Sequence, residues 1–322
     1  MFTLHSVISY YTSCGNTVNV ASLDVSKAFD RVCHSILFLK LIKCGVPKLC
    51  IQILSSWYRK CSVSVKWINA VSIAYTPKAG IRQGSIVSPA LFAVYINNLI
   101  TRISDSGYGC NIKNIFLGCF LYADDIILLS ISVFSLQRML EICIDELHCI
   151  DLHLNVDKSV YTRIGPRWKV SEINLLINGQ KLKYSSEIKY LGVVICSGKF
   201  VSRSIADMKV KFYRTFYSIF CKLRSCPNVA VLINLVKSKC IPILTYALEG
   251  YPLKEGQYKA LDKVIYKSIA KIVGTYNVDD INYIKSVFHI SDMHVTAHTR
   301  YKKLISKLPV KQLGFMSVLL HV

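Results

Sequence analysis

Three short segments carry residues that could do chemistry together. The first is Leu23-Asp24-Val25-Ser26-Lys27-Ala28-Phe29-Asp30, in which an acid closes a hydrophobic stretch. Taken alone, such an acid is ordinarily a turn or helix-cap residue. The second is Phe120-Leu121-Tyr122-Ala123-Asp124-Asp125-Ile126-Ile127-Leu128, with two adjacent carboxylates where buried strands meet. Those carboxylates repel each other and lose hydration, so a divalent cation or a basic partner is expected beside them. Hard oxygen donors with no His or Cys nearby favour Mg²⁺. If Asp24 closes on the same point, three carboxylates could hold two metal ions about 4 Å apart, an arrangement suited to in-line phosphoryl transfer. Between them lies Gly80-Ile81-Arg82-Gln83-Gly84-Ser85-Ile86-Val87-Ser88-Pro89. Its glycines let backbone approach a ligand closely, and Ser88-Pro89 is a sound helix start. By itself this loop reads as a tight turn.

The pattern around these segments gives the elements that must position them. Residues 3–14 have helical apolar spacing and stop at Ser13-Cys14-Gly15-Asn16; residues 17–25 alternate and predict a strand that carries Asp24 near its end. A helical stretch over 35–61 is broken near Gly45-Val46-Pro47, and 63–75 reads as a hairpin. A helix over 89–103, two buried strands within 116–130, a helix over 135–150 and short strands over 160–195 follow. This is a mixed α+β domain with an antiparallel sheet. After Gly198 the chain turns basic, aromatic and helical, so a domain boundary is placed near 200, dividing 1–200 from 201–322. Phe212, Phe216 and Phe220 repeat at i, i+4, i+8 and read as helix core. Lys209, Lys211, Arg214, Lys222 and Arg224 then form a solvated face available to phosphates.

Composition narrows the function classes. The 322 residues include 40 Lys and Arg against 19 Asp and Glu, a net charge of +21. With 52% hydrophobic and 18% charged residues this is neither a disordered basic tail nor a disulfide-stapled miniprotein. A folded chain so basic ordinarily meets a polyanion, nucleic acid first. Residues 201–322 carry 19 basic and 7 acidic side chains, most of the excess. Thirteen cysteines, an odd number with no C-x-x-C, read as small buried hydrophobes in a reducing compartment. The start lacks the pattern of a signal peptide. Residues 115–134 are long enough to span a bilayer, but Asp124 and Asp125 at the centre would be costly in lipid, so no membrane partner is expected.

The ordered set D-x-x-K-A-F-D, R-Q-G-S-x-x-S-P and Y-A-D-D resembles the palm of reverse transcriptases, and most closely those of non-LTR (LINE-type, Jockey-like) retrotransposons. Further agreement comes from Thr17-Val18-Asn19, Leu91-Phe92-Ala93-Val94-Tyr95-Ile96, Leu154-Asn155-Val156-Asp157-Lys158-Ser159, Tyr190-Leu191-Gly192-Val193 and Lys239-Cys240-Ile241-Pro242-Ile243-Leu244. The likeness runs from about residue 5 to about residue 275. It implies a palm-type polymerase fold with packed helices, followed by a mostly helical thumb-like region. It implies RNA-directed DNA polymerisation with two Mg²⁺ ions (Mn²⁺ as the alternative), dNTPs, an RNA template, and a DNA primer or RNA–DNA duplex.

Residue by residue, the resemblance makes Asp24, Asp124 and Asp125 the metal-binding acids, with the Val25 carbonyl completing a coordination sphere. Phe29, behind Ala28, matches the gate against a ribonucleotide 2′-hydroxyl, its ring turned to the nucleotide rather than the core. Ala28, Arg82, Gln83 and Gly84 match the nucleotide pocket. Lys158 matches a lysine proposed to protonate the departing pyrophosphate, the competing reading being a solvated surface lysine. Tyr190, Leu191 and Gly192 match the turn that grips the primer end.

Val87 departs from the family's usual Leu, a mild packing change. The family's longer fingers region would lie before Met1, so the fingers are expected to be incomplete. No endonuclease domain or C-terminal Cys/His knuckle is legible, and His289, His294 and His298 default to core or surface histidines. The alternative function is a truncated or domesticated remnant that binds RNA or RNA–DNA duplex without polymerising. An RNA-templated RNA polymerase or intron maturase is a weaker third reading. The chain alone is expected to bind duplex with strong salt dependence and to extend primers feebly or not at all. Family biology implies an intracellular protein acting in the nucleus, with the cytoplasm as alternative.

Overall fold

The computed structural model describes residues 1–170, 173–223 and 228–307. They fall into two compact units, Asn16–Ile188 and a second made of Met1–Gly15 with Lys189 onward. The division therefore lies near 188 rather than 200, and the first helix, α1 (Phe2–Ser13), belongs with the later residues. The reason is packing that sequence order conceals. The Phe2 ring lies 6.1 Å from that of Tyr301, and His5 meets Tyr251 edge-on at 4.5 Å.

In the Asn16–Ile188 unit, β1 (Val18–Val25) is the central strand of a five-stranded sheet. On one side it pairs antiparallel with β3 (Asp125–Ser130), which forms a hairpin with the edge strand β2 (Cys119–Tyr122). On the other side it pairs antiparallel with β4 (Leu154–Ile164), which in turn takes the parallel strand β5 (Lys183–Tyr184). Helices α2 (His34–Lys43), α4 (Ser88–Asp105) and α5 (Val133–Cys149) cover one face, with α3 (Lys48–Lys60) beside α2. Ala21, Leu23 and Val25 of β1 join Phe92, Tyr95, Ile96 and Leu99 of α4 and Met139, Leu140 and Cys143 of α5 in one core. The apolar positions of α4 recur at three- and four-residue spacing, so one stripe faces the sheet. Buried Tyr95 closes this core: its hydroxyl donates to Ile150 O at 2.6 Å and accepts from Cys33 N at 3.2 Å. Of the two strands expected within 116–130, β3 is buried after its first residue and β2 is only half-buried.

The division falls within strand β6 (Glu187–Tyr190), and the second unit continues with β7 (Val193–Cys196) and β8 (Ser202–Arg203), followed by helices. In α6 (Ala206–Lys222), Phe212 and Phe216 are buried and Phe220 is half-buried, their rings stacked in series. The phenylalanine stripe is helix core, packed against α7 (Glu255–Val273). Lys211, Arg214 and Lys222 are exposed and Lys209 is half-buried, while Arg224 lies outside the described residues. No described helix is long and apolar enough to cross a membrane.

The cysteines correct one expectation. Among the twelve described cysteines, Cys110, Cys143 and Cys240 are buried, whereas Cys14, Cys44, Cys50, Cys149 and Cys221 are exposed. Cys50 shows why: it sits on α3, a helix whose apolar side chains Leu49, Ile53 and Trp57 are themselves exposed, so apolar neighbours do not imply burial.

Candidate active site

Antiparallel pairing brings the acids together. In the register of β1 with β3, Asp24 lies directly opposite Asp125. Directly opposed residues project from the same face with Cβ atoms about 4.5–5.5 Å apart. Ala21, Leu23 and Val25 point into the core, so Asp24 takes the opposite face, where it is half-buried. Asp124 joins them from the two-residue turn between β2 and β3, where Ala123 adopts φ +54, a conformation unusual for a residue with a Cβ. Partial burial first, then the charges of Asp124 and Asp24, push the Asp125 carboxyl above its ordinary range. The three carboxylates therefore share one electrostatic neighbourhood. Among the described residues no group of three or more His, Cys, Asp or Glu side chains is arranged to hold an ion. By donor chemistry the three carboxylates suit a hard divalent cation, with Lys158 beside Asp24 among the described residues.

Lys158 reaches the site through an irregularity. Ser22 pairs with Val160 but Asp24 pairs with Asn155, so β4 bulges over 156–159. Ser159 anchors the bulge, accepting from Asp24 N at 3.1 Å and donating to Asn155 O at 2.6 Å. Lys158 Nζ is thereby 3.9 Å from Asp24 Oδ2. Its side chain is 70% exposed, so as an ion pair it adds little stability.

The glycine-bearing loop is fastened to the turn that follows β1. Gly80 N donates to Val32 O and Ile81 N to Phe29 O, both at 2.8 Å, and Ser88 Oγ donates to Arg82 O at 2.6 Å. His34 Nε2 holds Gly80 O at 2.7 Å. Arg82, Gln83 and Gly84 are exposed, and Ala28 is buried. Phe29 corrects an expectation: its half-buried ring stacks on core residue Phe92 at 4.7 Å, with planes 19° apart. One face of the ring is committed to the core because α4 presents Phe92 directly beneath it. Gly80 has φ +92, and a Cβ there would stand 2.9 Å from Asp30 O. Gly80→Ala should therefore destabilise the fold by about 1–3 kcal/mol in denaturant unfolding; an unchanged midpoint would contradict this close approach.

Tyr190, Leu191 and Gly192 belong to the second unit. Leu191 (φ +47) and Gly192 (φ +76) form the two-residue turn between β6 and β7. Tyr246 Oη donates to Leu191 O at 2.8 Å, and its ring covers Gly192. In the same unit His294 and His298 line a cavity of about 440 Å³ together with His5 and Glu249. Burial lowers His5 to about 4. Two contributors escaped the sequence reading, Ser159 and Asp30. Both stand inside the quoted motifs, the only signal that could have found them.

The family described as reverse transcriptase (RNA-dependent DNA polymerase) matches residues 5–195, more than half of the chain. The chain belongs to the reverse transcriptase family. It is 31% identical over 182 residues to the Pol polyprotein of the type-2 retrotransposable element R2DM of Drosophila melanogaster, covering 54% of this chain and 17% of that protein. It is 27% identical over 285 residues to the RNA-directed DNA polymerase from mobile element jockey of Drosophila funebris, covering 84% of this chain and 30% of that one. The match spans less than a third of the length of either relative. Among solved structures, telomerase from Candida albicans in complex with a TWJ fragment of telomeric RNA aligns at TM-score 0.47 and 11% identity, over 96% of this chain and 52% of that one. Membership of the reverse transcriptases rests on the sequence match, and these relatives place the chain beside non-LTR retrotransposon polymerases.

Proposed function

We propose that this chain is an RNA-directed DNA polymerase domain, transferring a nucleotidyl group from a dNTP to a primer 3′-OH on an RNA template. The observation that carries the reading is the register of Asp24 opposite Asp125, with Asp124 in the adjoining turn. Asp24, Asp124, Asp125 and the Val25 carbonyl would hold two Mg²⁺ ions, or Mn²⁺. Bound there, such ions stabilise the attacking and leaving oxygens of an in-line displacement. Lys158, beside Asp24, would give a proton to the departing pyrophosphate. Arg82 meets the triphosphate, Gln83 and Gly84 the nucleotide, and Phe29 the sugar. The Tyr190–Gly192 turn supports the primer end, and the basic helices after residue 200 follow the duplex through its phosphates.

One observation favours a second reading, a nucleic-acid binder that does not polymerise: among the described residues no group of three or more His, Cys, Asp or Glu side chains is arranged to hold an ion. Divalent-ion titration separates the two. Saturable stabilisation of the folded chain by Mg²⁺ or Mn²⁺ is expected, growing with ion concentration over its dissociation constant and lost in Asp125→Asn. A melting temperature indifferent to both ions would remove the polymerase reading.

Phe29→Ala should widen the sugar site, raising ribonucleotide use relative to deoxyribonucleotide use by about tenfold or more. Because the ring is half-buried on Phe92, the same change should cost about 1–3 kcal/mol of stability. Lost stability with unchanged sugar discrimination would leave Phe29 as ordinary packing.

A further inference from the structure

Asp30 has no role in the chemistry above, yet its carboxylate meets the loop side chain assigned to the nucleotide. Gln83 Nε2 donates to Asp30 Oδ1 at 3.3 Å. The loop does not depend on this bond for its place. Gly80, Ile81 and Arg82 are already held through their backbone by Val32, Phe29, His34 and Ser88. What the bond adds is direction. A carboxylate only accepts, so it draws the NH₂ end of the Gln83 amide toward itself. The carbonyl end is left to meet the ligand.

We infer that Asp30 is a positioning residue that fixes the Gln83 amide so that it presents an acceptor to a hydroxyl or amino donor of the incoming nucleotide. This rests on the nucleotide-binding reading of Gln83. Without an acceptor-only neighbour the amide can turn over, so that its NH₂ donor faces the nucleotide's donor and the hydrogen bond is lost.

The test is equilibrium binding of dTTP to the full chain on poly(rA)–oligo(dT) with a chain-terminated primer and Mg²⁺, which needs no turnover. Asp30→Asn keeps shape but can donate as well as accept, so it should weaken dTTP binding about three- to tenfold while the melting temperature stays put. In a Gln83→Ala background Asp30→Asn should add no further loss, since the group it orients is gone. The reciprocal exchange Asp30→Asn with Gln83→Glu restores the hydrogen bond but turns a carboxylate to the nucleotide, and should not restore affinity. Equal losses from Asp30→Asn with and without Gln83 would make Asp30 merely structural and overturn the inference. Unchanged affinity in Asp30→Asn would overturn it too, leaving the nucleotide-binding reading intact. Failure of the unaltered chain to bind dTTP would overturn both.

Discussion

Asp24→Asn or Asp125→Asn will lower primer extension by roughly 10²–10³-fold or more, the cost of removing a group that stabilises transition-state charge. Asp125→Asn will also raise the melting temperature of the metal-free protein at neutral pH. Burial, then Asp124 and Asp24, hold the Asp125 carboxyl above its ordinary range, so the fold favours its protonated form. Ionising it costs stability. That cost is absent below the unfolded Asp value of about 3.9 and complete once pH has risen past the folded value. The unaltered chain should therefore lose stability relative to Asp125→Asn as pH rises through that window, and Mg²⁺ should narrow the gap. Thermal melts across pH with and without Mg²⁺ check this. An Asp125→Asn protein that melts no higher, or that extends primers normally, would contradict the frustrated-carboxylate site.

Binding of an RNA–DNA duplex will fall by about 10³–10⁵ between roughly 50 and 200 mM salt, if some six to ten phosphates are neutralised. Most of the net charge for this lies after residue 200. Residues 201–322 carry 19 basic against 7 acidic side chains, and Lys211, Arg214 and Lys222 stand exposed around a stripe whose phenylalanines are committed to the core. Fluorescence anisotropy of a labelled duplex over a salt series gives the slope directly. An affinity that ignores salt would mean that contacts other than phosphates carry the binding.

Much of the site was legible because its chemistry is local. An acid at the end of an apolar strand, two acids in a hairpin turn and a glycine-flanked polar pair are each visible within ten residues. Their meeting is a long-range event. The pairing of Asp24 with Asp125 joins residues a hundred positions apart, and only the resemblance to known polymerases pointed to it. The bulge that carries Lys158 to Asp24 is a register shift between two strands, and alternation within one strand does not encode it. The packing of Phe29 and the contact of Asp30 are hidden from the sequence for a related reason. Phe29 finds Phe92, and Asp30 finds Gln83, across turns whose geometry depends on Gly80 lying flat against Asp30. Helix α1 stands first in the chain, yet its aromatic partners Tyr251 and Tyr301 come from far along the sequence.

The central claim is that the Asp24, Asp124 and Asp125 neighbourhood performs RNA-templated deoxynucleotidyl transfer. The most direct measurement is single-nucleotide extension of oligo(dT) on poly(rA), comparing dTTP with UTP, with and without Mg²⁺. The account predicts slow, Mg²⁺-dependent addition of dTTP in clear preference to UTP, abolished by Asp24→Asn while duplex binding persists. Duplex binding without any addition in Mg²⁺ or Mn²⁺, or addition that survives Asp24→Asn, would contradict it.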